Sequence, residues 1–151
     1  MGSTSDNFRS GRHVVYDLHA HIVLTPKYRK KVFTEQVSEE VERSARAVCK
    51  NNGVALEEFN TDLDHAHLVV SYPPKISLSK LIGAIKTNTS RHLRNLKLEE
   101  VETALWGEHF WSPSYFVSST GEAPLEKIKK YVQNQSKNPR KPGRPRNSST
   151  P

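Results

Sequence analysis

At 151 residues the chain is long enough for one domain with a hydrophobic core, and its single cysteine excludes an intrachain disulfide and argues against a structural zinc site. The net charge of +7 favours a polyanionic partner such as nucleic acid. No apolar run approaches the length that spans a bilayer, and the polar N-terminal residues lack the apolar segment of a signal peptide. We therefore expect no membrane partner and a cytoplasmic location.

The first predicted element is a long strand from His13 to Leu24. Apolar residues occupy its even-numbered positions, which is typical of a strand with one face on the core. Its odd-numbered positions include polar residues, namely His13, Asp17, His19 and His21. Pro26 ends the strand, and a basic run with one aromatic residue follows at 27–31. Such a run is usually solvated, but beside a nucleic-acid groove it would contact phosphates.

The second predicted element is a helix with Ser38 as its N-cap, because acidic residues crowd the turn that follows. Its apolar residues recur at helical spacing, and Asn51-Asn52-Gly53 ends it. A second strand from Val54 to Asn60 comes next. A third strand contains residues 64–70 and ends before Pro73.

A second helix is predicted from Ser77 or Ser79 to Leu96, with a buried stripe of leucine and isoleucine. The other side of this helix carries the basic residues Lys86, Arg91 and Arg94. An ordinary solvated face and a phosphate-binding stripe are both consistent with that pattern. The aromatic-rich segment 106–117 ends in a fourth strand. Its aromatic residues could stack unpaired bases, but core packing is favoured for most of them.

The order strand-helix-strand-strand-helix-strand predicts an α+β, ferredoxin-like fold, with helices on one face of an antiparallel sheet. In that topology the first and third strands are neighbours, so the histidines of the first strand should lie close to those of the third. We expect a disordered lead at 1–11, one folded domain at 12–137, and a disordered, basic, proline-rich tail at 138–151.

The third strand carries the clearest candidate for a metal site. A strand points every second side chain to the same face, so His65 and His67 should project together, away from the face that carries Ala66. Two adjacent imidazoles can bind a divalent metal, although two polar residues on a wet sheet face would show the same pattern. His19 and His21 form a second pair of this kind on the first strand, and periodicity does not choose between the pairs.

A last helix is predicted from Leu125 to about Lys137. Tyr131 and Gln135 lie four residues apart and so share one face. That face is offset by roughly 60° from the apolar stripe of the helix, at about 100° per residue. If the helix docks on the bare face of the sheet, a phenol and a carboxamide arrive beside the two imidazoles. Lys127, one turn before Tyr131, could help to neutralise a phosphate.

Three segments together resemble the HUH single-tyrosine transposases of the insertion-sequence 200/605 family, where HUH denotes histidine, a hydrophobic residue and histidine. The segments are Asp64-His65-Ala66-His67-Leu68-Val69-Val70, then Leu105-Trp106-Gly107 with 110–117, and then Pro124-Leu125-Glu126 with Ile128, Tyr131 and Gln135. The likeness covers roughly residues 12 to 136, which would make 12–137 the catalytic domain.

The resemblance implies a role for each of four residues. His65 and His67 would be metal ligands, Gln135 would be a third ligand through its amide oxygen, and Tyr131 would be the nucleophile. Nitrogen and oxygen donors of this kind suit Mg²⁺ or Mn²⁺ better than zinc. The implied reaction is metal-dependent cleavage and rejoining of single-stranded DNA through a 5′-phosphotyrosine intermediate. The resemblance also selects His65 and His67 over the rival pair.

The resemblance further implies a prokaryotic protein, single-stranded DNA with subterminal hairpins as its substrate, and a homodimer whose active sites are completed in trans. The catalytic helix would lie on the face of the sheet opposite the other helices. Candidate DNA contacts are His21, Lys27, Tyr28, Arg29, Lys30, Lys86, Arg91, Arg94 and Lys127. His21 is alternatively a residue that supports the metal ligands.

Two other functions are compatible with the sequence. The first is a domesticated HUH nickase that acts on chromosomal palindromes, which would share every chemical residue. The second is a non-catalytic module that binds single-stranded nucleic acid, with aromatic residues stacking on bases and lysines contacting phosphates.

Overall fold

The structure is a computed structural model, and it describes residues 9–10, 13–105 and 109–119. In chain order its elements are β1 (Arg9–Ser10), β2 (Val15–Tyr16), β3 (His19–Pro26), a 3-10 turn (Lys27–Arg29), α1 (Glu35–Asn51), β4 (Ala55–Asp62), β5 (His65–Ser71), α2 (Leu78–Leu96), α3 (Glu99–Leu105) and β6 (Trp111–Ser119). Residues 1–8 of the predicted lead, the predicted tail, and the predicted last helix with Lys127, Tyr131 and Gln135 lie outside this description. Arg9–Ser10, which the prediction assigned to a disordered lead, instead form β1 and pair with β2.

The four long strands form one antiparallel sheet in the order β4-β5-β3-β6. This order, with a helix after the first and third of these strands, confirms the predicted α+β, ferredoxin-like fold. It also confirms that the first and third long strands, β3 and β5, are neighbours. In the register of that pair, His21 lies opposite Val69, and Val23 lies opposite His67.

Among the described residues the main hydrophobic cluster lies on one face of the sheet, and Val23 and Val69 are also buried on the other face. Alternate residues of β3 and β5 pack in that cluster with the apolar stripes of α1 and α2, and they are Ala20, Ile22, Leu24, Ala66, Leu68 and Val70. Because side chains alternate along a strand, the histidines of β3 and β5 project from the opposite face. Within the described ranges no helix is both long and apolar enough to cross a membrane.

The predicted first strand is wrong in its first half. Residues 15–16 form the separate strand β2, which pairs with β1 instead of joining the four-stranded sheet. Val15 is 66% exposed there, so its apolar side chain has no core to pack against. The alternation of apolar residues continues through this stretch, but the apolar side chains point into the core only from Ala20 onward.

The first helix begins at Glu35, one turn earlier than the predicted cap at Ser38. The side chain of Thr34 accepts a hydrogen bond from the amide of Val37 at 3.2 Å and is the true N-cap. Ser38 instead bonds Thr61 through its hydroxyl at 2.6 Å. The earlier start brings Val37 onto the buried stripe, where it is fully buried.

The second helix and the fourth strand follow the prediction, with Ser77 as the N-cap of α2. The prediction missed the short helix α3, whose Leu105 packs into the core. The aromatic residues at the start of β6 confirm their favoured core role. Trp111 is buried, and its indole N–H donates to the hydroxyl of Thr89 at 2.8 Å.

Candidate metal centre

His65 and His67 stand on the sheet face that the core does not occupy, as predicted. Both side chains are partly buried, whereas Ala66 between them is completely buried in the core. The strand that carries them is hydrogen-bonded to β4 on one side and to β3 on the other. The pair is therefore held on a rigid element of the fold.

His21 reaches His67 from the neighbouring strand. Its Nδ1 lies 2.9 Å from Nε2 of His67. The ring centroids are 5.1 Å apart and the planes differ by 15°. The distance between the ring centres is nearly the sum of the N···N distance and the radii of the two rings. The rings therefore lie edge to edge, nearly in one plane, and are joined by an N–H···N hydrogen bond. Burial first, and then the neighbouring His21, lower the pKa of His67 and favour its neutral form, which is the form that binds metals.

His65 is held by a different partner, Asp64, which lies in the two-residue turn between β4 and β5. Nδ1 of His65 is 3.2 Å from Oδ1 of Asp64. The other carboxylate oxygen of Asp64 accepts hydrogen bonds from Arg29, from Nε at 2.9 Å and also from Nη2. Burial alone would raise the pKa of Asp64, but the hydrogen bonds and charges of Arg29 and His65 lower it overall.

Arg29 reaches Asp64 from an unusual turn. Tyr28 and Arg29 have φ angles of 61° and 50°, in the left-handed region. Such a conformation costs a non-glycine residue about 1–3 kcal/mol, and it is found where the surrounding structure enforces it. Tyr28 is 67% exposed, and Nζ of Lys27 lies 5.7 Å from the centre of its ring. The basic run therefore includes one arginine that is turned onto the candidate site and one aromatic ring that faces solvent.

The rival histidine, His19, is engaged elsewhere. Its Nε2 lies 2.6 Å from Asp17 and its Nδ1 lies 2.9 Å from Glu57, so each ring nitrogen is within hydrogen-bond distance of a carboxylate. Glu57 stands at a register shift between β4 and β5, which is how it comes within reach. Burial acts to lower the pKa of His19, but the two carboxylates raise it overall. The geometry therefore favours His65 and His67, with His21 as a neighbour, over a site built on His19.

The raised pKa of His19 makes a prediction about stability. A histidine with a raised folded-state pKa contributes stability that is complete below its unfolded pKa and is lost as pH rises through the folded pKa. We therefore expect His19→Gln to lower the free energy of unfolding at pH 6 by more than at pH 9, as measured by urea denaturation. The control is His109→Gln, at an exposed position. A loss for His19→Gln that is equal at both pH values would contradict the prediction.

Of the three basic residues predicted on α2, only Arg91 and Arg94 are exposed. The ammonium of Lys86 donates to the carbonyl of Ser112 at 2.7 Å and lies 5.6 Å from the centre of the Tyr115 ring. Burial lowers its pKa. Lys86 thus packs against β6, and a phosphate-binding stripe on this helix would consist of the two arginines. Their contacts with DNA stay a prediction, as do those of Lys27, Tyr28 and Lys30.

In the part of the chain that the structure describes, no three histidine, cysteine, aspartate or glutamate side chains converge as a metal-ligand cluster. The histidine pair would need ligands from elsewhere, and the predicted one is Gln135. Sequence reasoning missed the contacts of Asp64 and Arg29 with the site. The acidic residue directly before His65 was a local signal for the first of them, but the second partner lies 35 residues away.

Comparisons with known proteins point to one family. Residues 14–135 match the family described as "Transposase IS200 like". Over 127 residues the chain is 28% identical to the ISDra2 transposase TnpA of Deinococcus radiodurans, covering 84% of this chain and 90% of that protein. It is also 28% identical over 127 residues to the transposase for insertion sequence element IS200 of Salmonella typhimurium, covering 84% of this chain and 82% of that one.

Two solved structures share the fold. A crystal structure of a candidate transposase from Deinococcus radiodurans matches with a TM-score of 0.76 and 27% identity, covering 84% of this chain and 97% of that one. A REP-associated tyrosine transposase bound to a REP hairpin matches with a TM-score of 0.51. At 12% identity, over 85% of this chain and 73% of that one, the second likeness concerns the fold alone.

Proposed function

Because the chain belongs to the IS200-like transposase family, we propose that it cleaves and rejoins single-stranded DNA through a covalent phosphotyrosine intermediate. The observation that carries this proposal is the pair His65 and His67 on one face of β5, each with one ring nitrogen engaged by a neighbouring side chain. The family match includes both histidines and extends through Tyr131 to Gln135. The predicted nucleophile and third ligand thus belong to the same family segment as the pair.

In the proposed reaction, the phenol oxygen of Tyr131 attacks the phosphorus of a DNA phosphodiester. A bond forms between this oxygen and phosphorus, and the bond between phosphorus and the 3′ oxygen breaks. The phenol proton passes to solvent, and the departing 3′ oxygen takes up a proton to become a hydroxyl. Since the 5′-phosphotyrosine is itself a phosphodiester, a second 3′-hydroxyl can reverse the step and join strands without ATP.

A divalent cation, Mg²⁺ or Mn²⁺, fits the donor set of this site. The contact of Nδ1 of His65 with Asp64 would leave Nε2 as the ligand nitrogen, and the lowered pKa of His67 favours the neutral form of that ring. When bound, the cation would polarise a phosphate oxygen as a Lewis acid, and this compensates for the poor nucleophilicity of a phenol at neutral pH. Gln135 would supply an amide oxygen as the third protein ligand.

We propose single-stranded DNA with subterminal hairpins as the substrate. The net charge of +7 supports a polyanionic partner, and the exposed Arg91, Arg94 and Lys30 supply cations for phosphates. The exposed ring of Tyr28 supplies a surface for an unpaired base. Homodimerisation, with Tyr131 of one subunit completing the site of the other, belongs to the same proposal.

The test uses single-stranded oligonucleotides that carry the imperfect palindromes flanking the gene, labelled at either end and incubated with the protein and Mn²⁺. On denaturing gels we expect the 3′-end label to migrate with the protein, because Tyr131 retains the 5′ phosphate of the downstream fragment. The 5′-end label should leave as a shorter fragment with a free 3′-hydroxyl. Protein joined to the 5′-labelled fragment, or the absence of any adduct, would contradict the proposal.

The same assay separates the alternatives. A non-catalytic binding module, for which the exposed Tyr28 ring is the supporting observation, would shift the oligonucleotide on a native gel without forming an adduct. A domesticated nickase would form the adduct on palindromes from elsewhere in the chromosome, and its gene would not lie within a mobile element.

A further inference from the structure

Among the described residues, a chain of hydrogen bonds runs from His65 through Asp64 to Arg29. We propose that Arg29 is a positioning residue of the metal centre, which holds the Asp64 carboxylate so that Asp64 fixes the tautomer and orientation of His65. The inference rests on the proposed function, because it assumes that His65 is a metal ligand. It gives Arg29 a role in metal binding in place of the phosphate contact that its basic surroundings predict.

The contact between Asp64 and His65 determines which ring nitrogen is free. An ionised carboxylate can only accept hydrogen bonds, so the 3.2 Å contact requires the proton of a neutral His65 to be on Nδ1. Nε2 lies 3.9 Å from Oδ2 of Asp62, beyond hydrogen-bond distance, and so keeps its lone pair for a cation. Without this contact the other tautomer, with its proton on Nε2, would be populated and would not bind a metal through that nitrogen.

Arg29 holds the second oxygen of the same carboxylate. Nε donates to Oδ2 at 2.9 Å, and Nη2 donates to the same atom. A lysine has no such fork and could not reproduce both bonds. The two side chains are shielded, with 23% of Arg29 and 15% of Asp64 exposed, so solvent competes weakly for the pair. With Oδ2 fixed by Arg29, Oδ1 is left pointing at His65.

The backbone of the turn supports a directed role for Arg29. Its φ of 50° and that of Tyr28, 61°, are unfavourable for residues with side chains. Lys30 and Lys31, the next two residues, are exposed and already offer cations to a phosphate. A phosphate contact alone would not require the arginine of this run to turn inward onto an aspartate.

The test measures Mn²⁺ affinity of the full chain by calorimetry, without DNA. We expect Arg29→Ala and Asp64→Asn each to weaken Mn²⁺ binding by about 10- to 100-fold, the range found when an outer partner of a ligand histidine is removed. Arg29→Lys should recover only part of the loss. The matched control Lys30→Ala, which removes a neighbouring cation, should bind Mn²⁺ like the wild type.

A second readout needs no metal. Long-range ¹⁵N NMR of the imidazoles, at a pH where His65 is neutral, should show the Nδ1-protonated tautomer in the wild type and a mixture in Arg29→Ala and Asp64→Asn. Unchanged Mn²⁺ affinity in Arg29→Ala, together with weaker oligonucleotide binding in EDTA, would overturn the inference in favour of a phosphate contact. An unchanged tautomer in both variants would also overturn it.

The two proposals fail in different ways. If the wild type bound no Mn²⁺, the metal-dependent function would be wrong, while the NMR tautomer would still support or refute the effect of Arg29 on His65. If the wild type bound Mn²⁺ and both variants bound it equally well, the function would stand and the inference would fall.

Discussion

Tyr131→Phe should eliminate the covalent protein–DNA adduct while leaving hairpin binding intact. The substitution removes one oxygen atom, which is the proposed nucleophile, and leaves the ring. Loss of a nucleophile that acts together with its activating groups lowers a rate by about four to six orders of magnitude. Denaturing gels with the 3′-labelled oligonucleotide would measure the adduct, and fluorescence anisotropy in EDTA would measure binding.

Tyr28→Phe is the matched control, because it removes the same oxygen atom from an exposed tyrosine. Tyr28 directly precedes Arg29, whose side chain contacts Asp64 at the candidate site. Its phenylalanine ring can still stack on a base, so both binding and adduct formation should persist. If Tyr28→Phe abolished the adduct and Tyr131→Phe did not, the nucleophile would be Tyr28. A full-strength adduct in both variants would exclude both tyrosines.

His65→Ala and His67→Ala should each reduce the rate of Mn²⁺-dependent cleavage by more than the roughly 10- to 100-fold that loss of an outer partner costs. Each variant removes a proposed ligand nitrogen that water replaces poorly. His21→Ala should fall within the 10- to 100-fold range, since His21 acts on the site through its 2.9 Å bond to His67. Initial rates over a series of Mn²⁺ concentrations would measure these effects.

His19→Ala is the control for this series, because His19 belongs to the rival pair and lies on the same strand as His21. Its two nitrogens are bonded to Asp17 and Glu57, so its removal should leave the cleavage rate close to that of the wild type. A loss from His19→Ala as large as that from His65→Ala would show that the metal pair has been misassigned.

The sequence predicted the histidine strand correctly because one physical rule governs it. Alternation along β5 puts Ala66, Leu68 and Val70 into the core, and the burial of these apolar side chains fixes the direction of the histidines between them. The same reasoning placed β3 beside β5, because a ferredoxin-like order leaves little other choice.

Local patterns were less informative where two answers compete. Thr34 and Ser38 are both good N-cap residues, and only the burial of Val37 in the finished fold decides between them. Alternation through Val15 indicated a strand but could not show that it pairs with β1. The helix α3 has three acidic residues in its first turn, which is typical of a helix N-terminus. The helix is too short to show a clear apolar repeat, so this one indication did not lead to a prediction.

The contact between Arg29 and Asp64 had no sequence signal at all. It depends on a left-handed turn at Tyr28 and Arg29, which composition does not predict for residues with side chains, and on a partner 35 residues away. Contacts of this kind arise from the packing of separate elements. Sequence patterns can therefore suggest the ligands of the proposed metal centre, but not the side chains that aim them.

β5 is hydrogen-bonded to a neighbouring strand along both of its edges. His65 and His67 are therefore the part of the proposed reaction centre whose position is fixed by the sheet. Strand exchange must bring two different 3′-hydroxyls, in succession, to one phosphorus atom. With the histidines fixed on the sheet, the proposed exchange requires the two DNA ends to replace one another beside them.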